Sequence, residues 1–187
     1  MRVLRSSMQF AVLIMLFISL ACTSTKFSTV WMEGMDEAYQ ERPGKILVIN
    51  EIRNPAINPA TRIIFEDELV KALKERGVDA VISYTIMPGP IVSDKDAIAA
   101  RAAEVGADTV LITKIRSSKI DKSTGQSIGT YWYLNIDTQT EIYDMNSNRL
   151  VLTVLATTRI QTSEPSVKDI QSFIKGLVKE LSQQGLF

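Results

Sequence analysis

Cys22 is the single cysteine of the chain, and no histidine occurs among its 187 residues. A thiol becomes a nucleophile when a neighbouring base takes its proton, and the commonest base is missing. So is the commonest side-chain ligand of transition metals. Among the carboxylates, Asp94 and Asp96 form an acidic pair that suits either a hard cation or the first turn of a helix, where negative charge is favourable. Glu66, Asp67 and Glu68 read as the solvated side of a helix rather than as acid/base groups. Ser118 beside Lys119 pairs a hydroxyl with an amine, but adjacent residues on a strand point to opposite faces. No phosphate-cradling glycine loop of either common type is present. These residues predict a chain without catalytic group, metal site or cofactor, with a hydrolase as the remote alternative.

Other residues suit contact better than reaction. In "TYWYLNIDTQTEIY" the alternation sets Trp132, Leu134, Ile136 and Ile142 on one face of a strand. Tyr131, Tyr133 and Tyr143 fall on the other, among Asn135, Asp137 and Glu141. These three tyrosines are the candidate interaction surface, suited to a protein partner or a glycan. The competing reading is that another element, such as the segment from Trp31 to Tyr39, covers this face as ordinary core.

The setting of Cys22 points to an address. Arg2 and Arg5 open the chain, no acidic residue precedes Glu33, and Phe10 to Ala21 is an almost unbroken apolar run. That run is too short to span a bilayer, which needs about 20 residues, and its charged start and small closing residue fit a secretory leader. Ile18-Ser19-Leu20-Ala21-Cys22 resembles the lipobox of bacterial lipoproteins, whose cysteine is acylated and becomes the first mature residue. Ser19 stands where Leu is more usual. The alternative is an ordinary leader or an anchor helix in which Cys22 is incidental. Thr23, in place of the Asp that favours retention at the inner membrane, points to the periplasmic face of the outer membrane. The expected organisation is a lipoprotein signal peptide over residues 1–21, an acylated tether over 22–27 and one α/β domain over 28–187.

Charge and pattern describe that domain. Without Arg2 and Arg5 the 21 basic residues fall to 19 against 21 acidic, a balance that does not suit nucleic acid. Gly44 to Ile52 reads as a buried strand, and Asn58-Pro59 as a helix start closed by Gly77. "VDAVISYTI" is a second strand. Ser93, with Asp96 three residues on, opens a second helix in the manner of a capping box, and "ADTVLITKI" follows Gly106 as a third strand. Two strand-helix-strand passages in a row predict right-handed crossovers and a parallel core. Ser123-Thr124-Gly125 reads as a turn, and Asn146-Ser147-Asn148 joins the last two strands as an antiparallel hairpin at the sheet edge. Val167, Ile170, Ile174, Leu177 and Leu181 form one stripe of a closing helix.

This order, together with "VGADTVLITKI" and "YDMNSNRLVLT", resembles a class of envelope lipoproteins. It includes the curli-secretion lipoprotein, the exopolysaccharide-export lipoprotein of the Pel system and the amino-terminal domain of the Tol-system β-propeller protein. "FEDELVKALKERGVDAVISYT" and "SDKDAIAARAAEVGADTVLITKI" are similar to short uncharacterised proteobacterial lipoproteins. The long segments that build a barrel in the curli protein have no counterpart of that length here. The resemblance implies a mixed sheet of about five strands, ordered β-α-β-α-β-β-β-α, in two or three layers. An anchor joined to a fold without a catalytic set points to a lipid-anchored, non-enzymatic module of the cell envelope that binds an envelope protein or itself. Small-ligand or glycan binding is the alternative.

Overall fold

The computed structural model describes residues 23–31, 43–51, 58–88, 94–125, 129–162 and 164–187. Cys22 and the leader before it lie outside them. The first element is a strand, β1 (Ser24–Trp31), in which Ser24, Lys26, Ser28 and Val30 are exposed and Thr25, Phe27, Thr29 and Trp31 are half-buried. This corrects the expected tether: residues 24–27 are not linker but the first half of an edge strand. Its serines and threonines disguise it, because only every second side chain reaches the core.

The β-branched run β2 (Lys45–Glu51) is buried along nearly its whole length. It is followed by α1 (Ala60–Lys74), where the Asn58 side chain accepts from the Ala60 N–H at 2.9 Å. Gly77, at φ +79°, turns the chain out of that helix in the left-handed conformation that glycine adopts without strain. Next come β3 (Asp79–Ile82) and α2 (Lys95–Glu104). The α2 cap is Asp94, whose carboxylate accepts from the Asp96 N–H at 3.0 Å; the expected cap Ser93 lies outside the described residues. The Asp94/Asp96 pair is therefore a helix start.

The remaining elements are β4 (Thr109–Gly125), β5 (Gly129–Asp144), β6 (Arg149–Ile160) and α3 (Val167–Gln183). They form one sheet of six strands in the order β1-β6-β5-β4-β2-β3. The β3-β2-β4 side is parallel, as two crossovers require, and the rest is antiparallel. The sixth strand beyond the expected five is β1. The antiparallel part is also more than an edge hairpin, because β4 continues through Ser123-Thr124-Gly125 and does not turn there.

Helices α1 and α3 cover one face of the sheet, where Ile46, Val48, Leu111, Ile142, Leu152 and Val154 meet Leu69, Leu73, Leu177 and Leu181. On the other face α2 packs Ile98 and Ala102 against Leu47, Ile49, Val110 and Ile112. The domain thus has three layers over its parallel half. Val167, expected in the α3 stripe, is 47% exposed at the first turn of the helix, and Phe173 and Val178 complete the buried set instead.

Candidate functional site

The carboxyl-terminal helix holds the start of the chain through a row of side chains spaced one turn apart. Thr23 Oγ1 donates to Asp169 Oδ1. The Phe27 ring lies 5.7 Å from that of Phe173, and Gly176 leaves room for it. Thr29 Oγ1 donates to Glu180 at 2.6 Å, and Trp31 Nε1–H donates to Gln184 at 2.9 Å. Asp169 is also half of a capping box, accepting from the Ser166 N–H at 2.9 Å and the Ser166 hydroxyl at 2.6 Å. Partial burial by itself would raise the Asp169 pKa. The hydrogen bonds from Ser166 and Thr23, with nearby Lys168, outweigh it and hold the carboxyl below its ordinary 3.8.

At the same end of the molecule, β4 and β5 run on past the rest of the sheet. One row of paired residues crosses it as Ser24, Arg159, Asn135 and Lys119. One residue farther β6 ends its pairing at Leu134 and Ile160, and β4 and β5 continue as a pair out to Gly125 and Gly129. Leu134, Ile136 and Ile160 close a small cluster at the root of this ribbon. Farther out, on the same face, Ile120 is 51% and Trp132 53% exposed. The Lys122 ammonium lies 5.6 Å from the Trp132 ring centroid.

Below the ribbon root, a cavity of about 60 Å³ opens between α1, α3 and the sheet. Phe65, Ile115, Ile136, Ile160 and Phe173 make it apolar. Asn50, 3% exposed, also lines it, and its Oδ1 has no hydrogen-bond partner among the described residues. An unmet buried acceptor is costly unless a bound donor satisfies it.

Glu66, expected on a solvated helix face, is fully buried. Its position belongs to the apolar stripe, three residues before Leu69 and seven before Leu73. Its Oε1 accepts from the Asn50 N–H and Arg62 Nε–H, each at 3.0 Å, and from Ser83 Oγ at 2.8 Å. Its Oε2 accepts from the N–H groups of Ser83 (2.8 Å) and Tyr84 (2.9 Å). Arg62 reaches on to Ser83 Oγ and the Met87 carbonyl. These five hydrogen bonds tie β2, α1 and the end of β3 together.

Tyr133 and Tyr143 do not share a site, and Tyr143 packs against the α2 cluster. Tyr133 and Tyr143 are ten positions apart on β5, about 33 Å at strand spacing. The Arg159 guanidinium covers Tyr133 at 3.9 Å. The Tyr143 hydroxyl donates to Glu141 at 3.0 Å, and Glu141 also binds Lys114 at 2.7 Å and Gln139 at 2.7 Å. Burial first, and then the bond to and charge of Glu141, push the Tyr143 pKa up to about 12, away from the range a general base requires. Tyr131 belongs to the same strand, with its side chain outside the described residues. No three Asp, Glu, Cys or His side chains converge on a metal position among the described residues.

Few of these groups were readable beforehand. Cys22 lies outside the described residues, although its neighbour Thr23 is held by Asp169. Glu66 and Arg62 had a usable signal in their spacing of four within an apolar stripe. Asn50 had none, since its place in the cavity wall depends on α1, α3 and the sheet meeting from distant parts of the chain.

The chain matches no protein-family model and no curated protein. Its fold does match solved structures. The PelC dodecamer of Paraburkholderia phytofirmans superposes with a TM-score of 0.51 at 13% identity, over 87% of this chain and 96% of the other. A lipoprotein of Neisseria meningitidis gives 0.52 at 13% identity, over 75% of this chain and 99% of the other. At such identities the likeness is one of fold, and the Pel-export protein named from the sequence is among the proteins that share it.

Proposed function

We propose that the chain is an envelope lipoprotein, acylated on Cys22 and held at the periplasmic face of the outer membrane, whose α/β domain is a non-enzymatic interaction module. The observation that carries this reading is the bond between Thr23 and Asp169, because it fixes the residue next to Cys22 to the folded domain. An anchor so close to the fold sets the orientation of the domain as well as its address. The fold it shares with a dodecameric protein and with a lipoprotein supports self-association as the mode of action. Mass spectrometry of the mature amino terminus tests the address: diacylglyceryl and acyl groups on Cys22 are expected, and an unmodified Cys22 overturns it. Sedimentation of the acylated chain in detergent tests self-association, which a monomer at all concentrations overturns.

One observation favours a second reading, small-ligand binding. The apolar cavity with the unmet Asn50 acceptor suits a small apolar molecule carrying one N–H or O–H group. Native mass spectrometry of protein purified without detergent, followed by denaturation, would release such a molecule; wild type and Asn50→Leu yielding the same empty mass sinks this reading.

A further inference from the structure

The projecting β4–β5 ribbon is the feature that neither core packing nor sheet closure explains. Two strands alone bury no face and are marginal in water, yet this pair carries Ile120 and Trp132 about half exposed on one side. Over residues 116–135, three basic side chains, Arg116, Lys119 and Lys122, stand against one acidic, Asp121. Arg159 adds a further positive charge at the root.

We infer that this ribbon is a membrane-contacting arm: Ile120 and Trp132 enter the interface of the bilayer that holds the anchor, and the basic side chains meet lipid phosphates. The inference rests on the proposed acylation of Cys22 for its geometry. β1 begins at the row of Ser24, Arg159, Asn135 and Lys119, and the ribbon extends beyond that row on the side toward which β1 points its amino-terminal end. From Lys119 to Gly125 it reaches about 20 Å at strand spacing. Cys22 and Thr23 together span no more than about 7 Å. A membrane gripped by Cys22 is therefore nearer than the end of the ribbon, which has to lie on the surface or enter it.

The chemistry of the arm fits that position. Tryptophan favours the headgroup region, where its apolar ring and N–H are both satisfied. Lys122, with its ammonium 5.6 Å from that ring, has an apolar stem to lay along it and a charged head to turn toward phosphate. The apolar strip is continuous with the buried Leu134, Ile136 and Ile160, so a shallow insertion extends an existing surface. Ile120, Trp132 and Leu134 are too few to span the hydrocarbon core, which limits the arm to the interface.

The test uses the acylated full mature chain in vesicles of phosphatidylethanolamine and phosphatidylglycerol whose acyl chains carry bromine near the headgroup. The chain has two tryptophans, and Trp31 lies at the far end of β1, bonded to Gln184. Bromine is expected to remove the Trp132 share of the emission, leaving a residual signal that matches the unquenched Trp132→Phe variant. Equal fractional quenching of wild type and Trp132→Phe overturns the inference, even when the protein floats with the vesicles and the anchor stands. A protein that does not float refutes the anchor instead. The arm is then decided by salt-sensitive binding of the unacylated chain, abolished in Lys119→Glu/Lys122→Glu if the inference holds; no binding at low salt overturns it. Emission that follows protein concentration and ignores bromine assigns the ribbon to a second copy, and also overturns it.

Discussion

Thr23 and Asp169 are joined by a hydrogen bond that ties the first described residue to the first turn of the last helix. The same carboxylate closes the capping box with Ser166. Asp169→Asn removes the charge that both donors and the helix amino terminus favour, and is expected to cost about 1 kcal/mol in urea unfolding. Acid titration gives the sign. Asp169 is held below its ordinary 3.8, so its contribution is complete above that pH and is lost as pH falls through the native value. The variant should show a shallower acid limb than wild type, and an unchanged limb would mean that Asp169 is not the group responsible.

Glu66 should matter far more than any surface carboxylate. Glu66→Ala takes the carboxylate from a nearly buried guanidinium and the acceptor from the N–H groups of Asn50 and Tyr84, while the Ser83 N–H keeps its bond to the Val48 carbonyl at 3.0 Å. Breaking such a pair costs about 3–5 kcal/mol. Glu104→Ala removes an exposed partner of Arg101 and should cost no more than about 1 kcal/mol. Urea midpoints measured side by side check the contrast; comparable losses would contradict the burial of Glu66.

The parallel half of the sheet was legible because its signals are local. Lys45–Glu51 is a β-branched run, and Gly77 and Gly106 end helices at positive φ. What escaped was set by contacts between distant segments. β1 has Thr25 and Phe27 on its inner face, residues that read as tether until α3 supplies Phe173 beside the Phe27 ring. Glu66 was read by residue type, and burial overrode type once Arg62 and three backbone donors surrounded it. Tyr133 and Tyr143 share a strand, but ten positions at strand spacing put them too far apart for one site, and the side chain of Tyr131 lies outside the described residues.

Gly176 is expected to reverse the usual rule for glycine in helices. Alanine normally gains about 1 kcal/mol at such a position. Here its Cβ would stand 2.6 Å from Cε2 and 2.9 Å from Cζ of Phe27, a ring held between β1 and α3. Overpacking of this kind costs about 1–3 kcal/mol. Gly176→Ala should therefore lower the thermal midpoint, and Gly176→Ala/Phe27→Leu should recover part of the loss. A stabilised single variant would show that α3 and β1 are not in close contact.

Tyr143 should be a late-titrating tyrosine with a visible effect on alkaline stability. Its pKa is raised from 10.0 to about 12, first by burial and then by the Glu141 carboxylate that accepts its hydrogen bond. A tyrosine raised in the native state favours folding fully below pH 10, where both states hold the proton. Between 10 and about 12 the unfolded chain releases it and the native chain does not, so stability falls as pH rises through that window. Tyr143→Phe keeps the ring under Lys95 but has no proton to lose. At neutral pH it should cost about 1 kcal/mol for the lost bond to Glu141, and above pH 10 its disadvantage should shrink. Tyrosinate absorbance of the folded protein, compared between wild type and variant, should assign the missing step to the high-pH end. A missing step near 10 would mean that Glu141 does not hold this hydroxyl.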